Sequence, residues 1–207
     1  MFLPDPLICF YLCLTIQLGL WSQLFCNAHT YTTPSFNVKQ QLNFVSAIHN
    51  LGCILLGLGY AWTDQNIYVA ATGIWSVSYF SMDALNCKEG SLLKFHHYAS
   101  VAMESLFILL YNDPTNINGQ AVFWGLFWCE LSNVPMYYVY HLAHISPPKP
   151  VPQWLYIWEF LQFSILRTLC AVYFIWWEPV TWHCLQGALG LFWLTSMHWA
   201  RSMWNKI

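Results

Sequence analysis

The chain has 207 residues, 57% of them hydrophobic and only 8% charged, against about a quarter charged in an ordinary soluble domain. That composition excludes a water-soluble globular enzyme and requires lipid to solvate most of the surface. The formal net charge of −2 comes with scattered rather than clustered Lys and Arg residues, which excludes a nucleic-acid-binding face.

Apolar runs of about 20 residues predict seven transmembrane helices, near 7–25, 41–62, 67–85, 92–111, 121–143, 153–177 and 181–200. The breaks are short turn compositions: Thr63-Asp64-Gln65-Asn66, Asn86-Cys87-Lys88-Glu89-Gly90, Asn112-Asp113-Pro114 and Ser146-Pro147-Pro148-Lys149-Pro150. They leave no room for a soluble domain, so one all-α membrane bundle is expected. Trp62, Tyr111, Trp154, Trp176, Trp177 and Trp199 fall near the ends of the runs, as an aromatic belt at the lipid headgroups requires.

The first run has an alternative reading as a signal peptide, with Cys26-Asn27-Ala28 as a small-residue cleavage site. It lacks a basic n-region, and a retained helix fits the charge distribution better. With seven spans, Lys39, Lys88, Lys94, Lys149, Arg201 and Lys206 all fall on one side, which predicts a cytoplasmic C-terminus and a lumenal or external N-terminus. The eight cysteines have no CxxC spacing, and no disulfide framework, zinc site or other metal site is expected.

Polar residues at bilayer depth are costly and therefore mark function or specific pairing. At 1.5 Å of rise per residue, His96 and His97 lie roughly 6 to 8 Å inside the fourth span. Asp83 closes the third span across a short loop, placed to orient an imidazole and raise its basicity. These three form the candidate catalytic group. His49 in the second span reads equally well as a catalyst or as an interhelical hydrogen bonder. Glu130 and Arg167 occupy similar depths in the fifth and sixth spans and are expected to form an ion pair, catalytic or purely structural. Glu130 and Asn133 share a helix face, Ser132 is expected to point elsewhere, and Pro135 removes a backbone donor and opens the helix towards a cavity. His97 and Glu104 share a stripe, while His141, His144, His183 and His198 fall near span ends.

Taken in order, Ser46-Ala47-Ile48-His49-Asn50, Ser78-Tyr79-Phe80-Ser81-Met82-Asp83, Lys94-Phe95-His96-His97-Tyr98, Glu130-Leu131-Ser132-Asn133 and Arg167 resemble the TLC-domain (TRAM/LAG/CLN-type) family over about Lys39 to Arg201. The resemblance implies an N-terminal helix and connection (1–38), a TLC-like six-helix domain (39–201) and a short cytoplasmic tail (202–207). It further implies a lipid-accessible cavity inside the six-helix bundle and residence in the endoplasmic reticulum. Ceramide synthases of this family join a fatty acyl group from acyl-CoA to a sphingoid amine, and their His-His pair matches His96 and His97. By that likeness one imidazole acts as nucleophile or general base, acyl-CoA is the co-substrate, and His49, Glu130, Ser132, Asn133 and Arg167 line or polarise the cavity.

The ceramide synthase segment His-Asp-x-Ser-Asp reads here Cys129-Glu130-Leu131-Ser132-Asn133, so one His and one acid are absent. That form is similar to a divergent branch implicated in membrane phospholipid composition, lipid homeostasis or cargo handling. Membrane lipids, whether fatty acyl, sphingoid or phospholipid, are the implied partners; homo-oligomer formation is left open. Two function classes follow, an acyl-CoA-dependent acyltransferase and a non-catalytic lipid sensor or trafficking factor. A transporter would call for broken half-helices or an inverted repeat, and neither is evident.

Overall fold

The structure, a computed structural model, describes residues 6–32, 36–86, 91–110, 117–145, 150–173 and 183–207. Among these residues there are eight helices and no strand: α1 (Pro6–Cys26), α2 (Ala28–Tyr31), α3 (Val38–Thr63), α4 (Asn66–Asn86), α5 (Ser91–Leu110), α6 (Ile117–Ala143), α7 (Gln153–Val172) and α8 (His183–Trp204). Seven long helices coincide with the seven expected segments, and α2 is a single extra turn. Three of them, Cys9–Cys26 in α1, α3 and α7, are long and apolar enough throughout to cross a membrane. Most positions of the expected turns lie outside the described residues, as do Tyr111, Trp176, Trp177, Lys88, Lys149 and the side chain of Glu104.

The bundle is apolar outside and polar within. Leu51, Leu55 and Leu58 of α3, Leu161, Ile165 and Leu169 of α7, and Leu191 and Leu194 of α8 are exposed in helical stripes. Gln40, His49, Asn50, Ser76, Glu130, Ser132, Glu159 and Arg167 are buried. Such continuous apolar stripes are foreign to a water-exposed monomer and natural against lipid tails. Between helices in lipid, close packing and hydrogen bonds replace the hydrophobic drive, and both are visible here.

Helix α1 packs on α4, α3 packs on α4 and α6, α5 on α4 and α6, and α7 on α6 and α8. Trp21 of α1 is 1% exposed, its ring edge-on to Trp75 and Tyr79 of α4, so the first helix belongs to the core. Gly57 allows α3 to approach α6, because a Cβ there would strike the ring of Phe127.

Helix ends are anchored by named side chains. Asn37 Oδ1 accepts from the Gln40 amide at 2.9 Å and Gln40 Oε1 accepts from the Asn37 amide at 3.0 Å, a reciprocal cap at the start of α3. The same residues reach the end of α6: Gln40 Nε2 donates to the His141 carbonyl and Asn37 Nδ2 to that of His144, satisfying acceptors that a helix C-terminus leaves free. At the other end of α3, Asp64 adopts the left-handed conformation (φ 55°) and returns its N–H to the Tyr60 carbonyl at 2.7 Å.

Pro135 sits inside α6 and supplies no N–H to the Leu131 carbonyl one turn back. Gln162 of α7 donates its Nε2 to that carbonyl at 2.7 Å. The backbone bond lost to proline is thus replaced by a bond between helices.

Candidate functional site

Two polar clusters flank α6. The first lies among α3, α4 and α6. His49, 1% exposed, is stacked on the Tyr79 ring with centroids 3.9 Å apart, and its Nε2 lies 3.3 Å from both Ser76 Oγ and Cys53 Sγ. Its Nδ1 is 3.9 Å from Glu130 Oε1, beyond hydrogen-bond length. Asn50, one residue on, uses its amide group to donate to both the Glu130 backbone carbonyl and Glu130 Oε2, the latter at 2.8 Å. The Tyr79 hydroxyl stands 2.8 Å from Ser46 Oγ and 3.1 Å from Asp83 Oδ2, sharing one proton between them. Asp83 Oδ2 is in turn 3.3 Å from His97 Nδ1. That nitrogen makes no aligned hydrogen bond among the described residues, so the contact is an electrostatic approach rather than a formed bond.

The second cluster lies among α6, α7 and α8 and centres on Arg167, which is 6% exposed. Its Nε donates to Ser132 Oγ at 3.0 Å, Nη1 to Ser196 Oγ at 2.7 Å and Nη2 to Asn133 Oδ1 at 2.9 Å. Each serine has already committed its own proton, Ser132 to the Cys129 carbonyl and Ser196 to the Phe192 carbonyl, so both present lone pairs to the guanidinium. Phe163 lies beneath the cation at 4.1 Å from the ring centroid. No carboxylate of the described residues comes within 4.0 Å of Arg167. A buried charge without a direct counter-ion costs several kcal/mol in desolvation.

Between α5, α6, α7 and α8 is a cavity of about 90 Å³. His96, Glu130, Asn133, Arg167 and Ser196 face it, and Phe80, Met103, Val122, Leu126, Leu189, Phe192 and Trp193 supply apolar wall. The ring of His96 packs edge-on against Phe192 and Trp199 of α8. Neither ring nitrogen of His96 has a hydrogen-bond partner among the described residues. The volume admits several waters or a polar head group but not a whole lipid, whose chains would remain in the bilayer.

The sequence-derived residues therefore separate. His96, Glu130, Asn133 and Arg167 line the cavity. His49, Asp83, His97 and Ser132 stand behind its wall. The adjacent histidines differ because consecutive helical positions are about 100° apart: His97 turns towards Asp83 of α4, His96 towards α8.

Two expectations are corrected. Glu130 and Arg167 do not pair directly. Asn50 holds the carboxylate, neutral acceptors hold the guanidinium, and Asn133 stands between, its Nδ2 3.5 Å from Glu130 Oε2. Ser132 does not point away from this group, because the wide fork of Arg167 spans two neighbouring positions of α6, Ser132 and Asn133.

Asn50, Tyr79, Gln162 and Ser196 were not singled out in the sequence, although each organises a cluster. Asn50 and Gln162 carried a usable signal, an amide in mid-span, and Pro135 additionally announced a carbonyl in need of a donor. Ser196 carried none, since serine is ordinary in helices that pack in lipid. Glu159 of α7 is a further buried acid, with Oε2 lacking a hydrogen-bond partner among the described residues.

No family model, curated protein or solved structure matches this chain.

Proposed function

We propose that the chain is a multi-pass membrane protein of the TLC type, crossing the bilayer with all seven long helices, that binds lipid at the α5–α8 cavity and transfers an acyl group there. The observation that carries this reading is His96: an imidazole whose nitrogens have no hydrogen-bond partner among the described residues, on the wall of an otherwise largely apolar cavity, inside a bundle whose outer face suits lipid. The ordered residue pattern from His49 to Arg167 supports the family reading.

In the proposed reaction an imidazole nitrogen of His96 attacks the thioester carbonyl carbon of acyl-CoA. The C–N bond forms, the C–S bond breaks and CoA leaves as thiolate. A lipid amine or hydroxyl then attacks the acyl-imidazole carbon, its N–H or O–H proton balances the departing thiolate, and His96 is released. His97, held towards Asp83, positions the start of α5 and does not itself reach the cavity wall.

The bundle's sidedness supports an orientation with the C-terminus cytoplasmic and the N-terminus lumenal, in the endoplasmic reticulum by family resemblance. Lys39 lies near the start of α3 and Lys94 near the start of α5, while Arg201 and Lys206 are at the end of α8. Contacts from Asp83 to His97 and from His96 to Trp199 bring the end of α4, the start of α5 and the end of α8 together. Basic residues gathered at one end mark the cytoplasmic face.

A second reading, a lipid-binding homeostasis factor without turnover, is favoured by Cys129-Glu130-Leu131-Ser132-Asn133, which lacks a His and an acid of the ceramide synthase segment. Lipid mass spectrometry on the purified protein and its His96→Ala and His97→Ala variants, each incubated with acyl-CoA, separates the two. An acyl adduct or a new N-acyl or O-acyl lipid that disappears in His96→Ala supports transfer. Co-purified lipid with no product in any sample supports the second reading, and neither lipid nor product defeats both.

A further inference from the structure

We infer that Arg167 is the anion-binding group of the cavity and that the amphiphile bound there carries an oxyanion, a carboxylate or a phosphate. This rests on the cavity being a lipid site and names the chemistry of the head group it takes.

A guanidinium has five N–H donors. Ser132, Ser196 and Asn133 accept three from Arg167, leaving two without an acceptor among the described residues. The residue is more than nine-tenths buried and forms part of the cavity wall. All three acceptors are neutral, so they fix the fork in place without cancelling its charge. Glu130 shares the wall, yet Oε2 is engaged by Asn50 and by Asn133 and does not reach the guanidinium. The unused N–H donors, with no carboxylate of the described residues within 4.0 Å of the guanidinium, match the fork geometry by which arginine binds carboxylates and phosphates. The three anchoring bonds and the Phe163 ring hold the side chain in place before any ligand arrives, so little ordering is left to oppose binding. The apolar walls from Phe80, Leu126, Leu189 and Phe192 then accept the first methylenes of the chain.

The test uses the full chain purified in a neutral detergent. Oleate, an oleoyl lysophosphatidate and uncharged monoolein are titrated separately, and bound ligand is counted by native mass spectrometry. At least one anionic probe is expected to bind about tenfold or more tightly than monoolein, a difference of about 1.4 kcal/mol. Preference for oleate identifies a carboxylate, and preference for lysophosphatidate a phosphate. Arg167→Gln is expected to erase the preference, and Arg167→Lys to retain part of it through charge alone. Equal binding of all three probes by the wild-type protein overturns the inference without needing a folded variant, and leaves the lipid-site reading standing. An anionic preference that survives in folded Arg167→Gln also overturns it. If none of the probes binds, the lipid-site reading falls as well.

Discussion

The two polar clusters beside α6 are both buried, yet they are finished differently. Among α3, α4 and α6, the carboxylate of Glu130 is gripped by Asn50, and His49 is stacked on Tyr79 and hemmed in by Ser76 and Cys53; its Nδ1 has no hydrogen-bond partner among the described residues, but the ring does not line the α5–α8 cavity. Among α5 to α8, Arg167 keeps donors and His96 keeps ring nitrogens without a partner among the described residues, and both line a cavity. Burial alone therefore does not distinguish structure from function in this bundle. The unused hydrogen-bonding capacity at an open space does.

If the first cluster is structural, breaking it should cost the most. Asn50→Leu removes the principal donor to a buried carboxylate and is expected to lower stability by about 3 kcal/mol. A thermal melt in detergent checks this, and an unchanged transition would remove the distinction between the clusters. Gly57→Ala drives a Cβ into Phe127 at the α3–α6 contact, an overpacking worth about 2 kcal/mol in the same assay.

The interhelical bond at Pro135 gives a cycle with a diagnostic shape. Gln162→Leu strands the Leu131 carbonyl at a cost of about 1 to 2 kcal/mol, whereas a Pro135→Ala background restores the missing backbone N–H within α6 itself. The double variant should recover most of the loss, and additive losses would show that Gln162 acts elsewhere. Smallest in stability is Ser196→Ala, about 1 kcal/mol, since Arg167 already tolerates unused donors. Its expected effect is instead on head-group affinity in the native mass spectrum. A melt as damaged as that of Asn50→Leu would make the second cluster as structural as the first.

The long helices were legible in the sequence because 20-residue apolar runs and short turns follow from bilayer thickness and backbone hydrogen bonding. The inward placement of His49, Glu130 and Arg167 was legible for the same energetic reason. Their partners were not. The expected Glu130–Arg167 pair came from equal depth, but depth along an axis says nothing about azimuth. Asn50 and Ser196, supplied by other helices, intercept the two charges first. The split between His96 and His97 was implicit in the 100° step, but which of them met α8 depended on how α5 sits between α4 and α8. Tyr79, which nothing in the sequence singles out, joins His49 to Asp83 by ring and hydroxyl.

Whether lipid occupies the α5–α8 cavity can be read at Gly125. This glycine lines the cavity, and a Cβ added there meets nothing within 4 Å. Gly125→Phe should therefore fill the space while leaving the fold intact. Native mass spectrometry of the wild-type and Gly125→Phe proteins, purified identically and matched by thermal melt, decides the matter. A bound lipid is expected on the wild type and is expected to be lost from the variant; full retention of that lipid in a normally folded Gly125→Phe protein would place the ligand elsewhere and rule out this cavity as the lipid site.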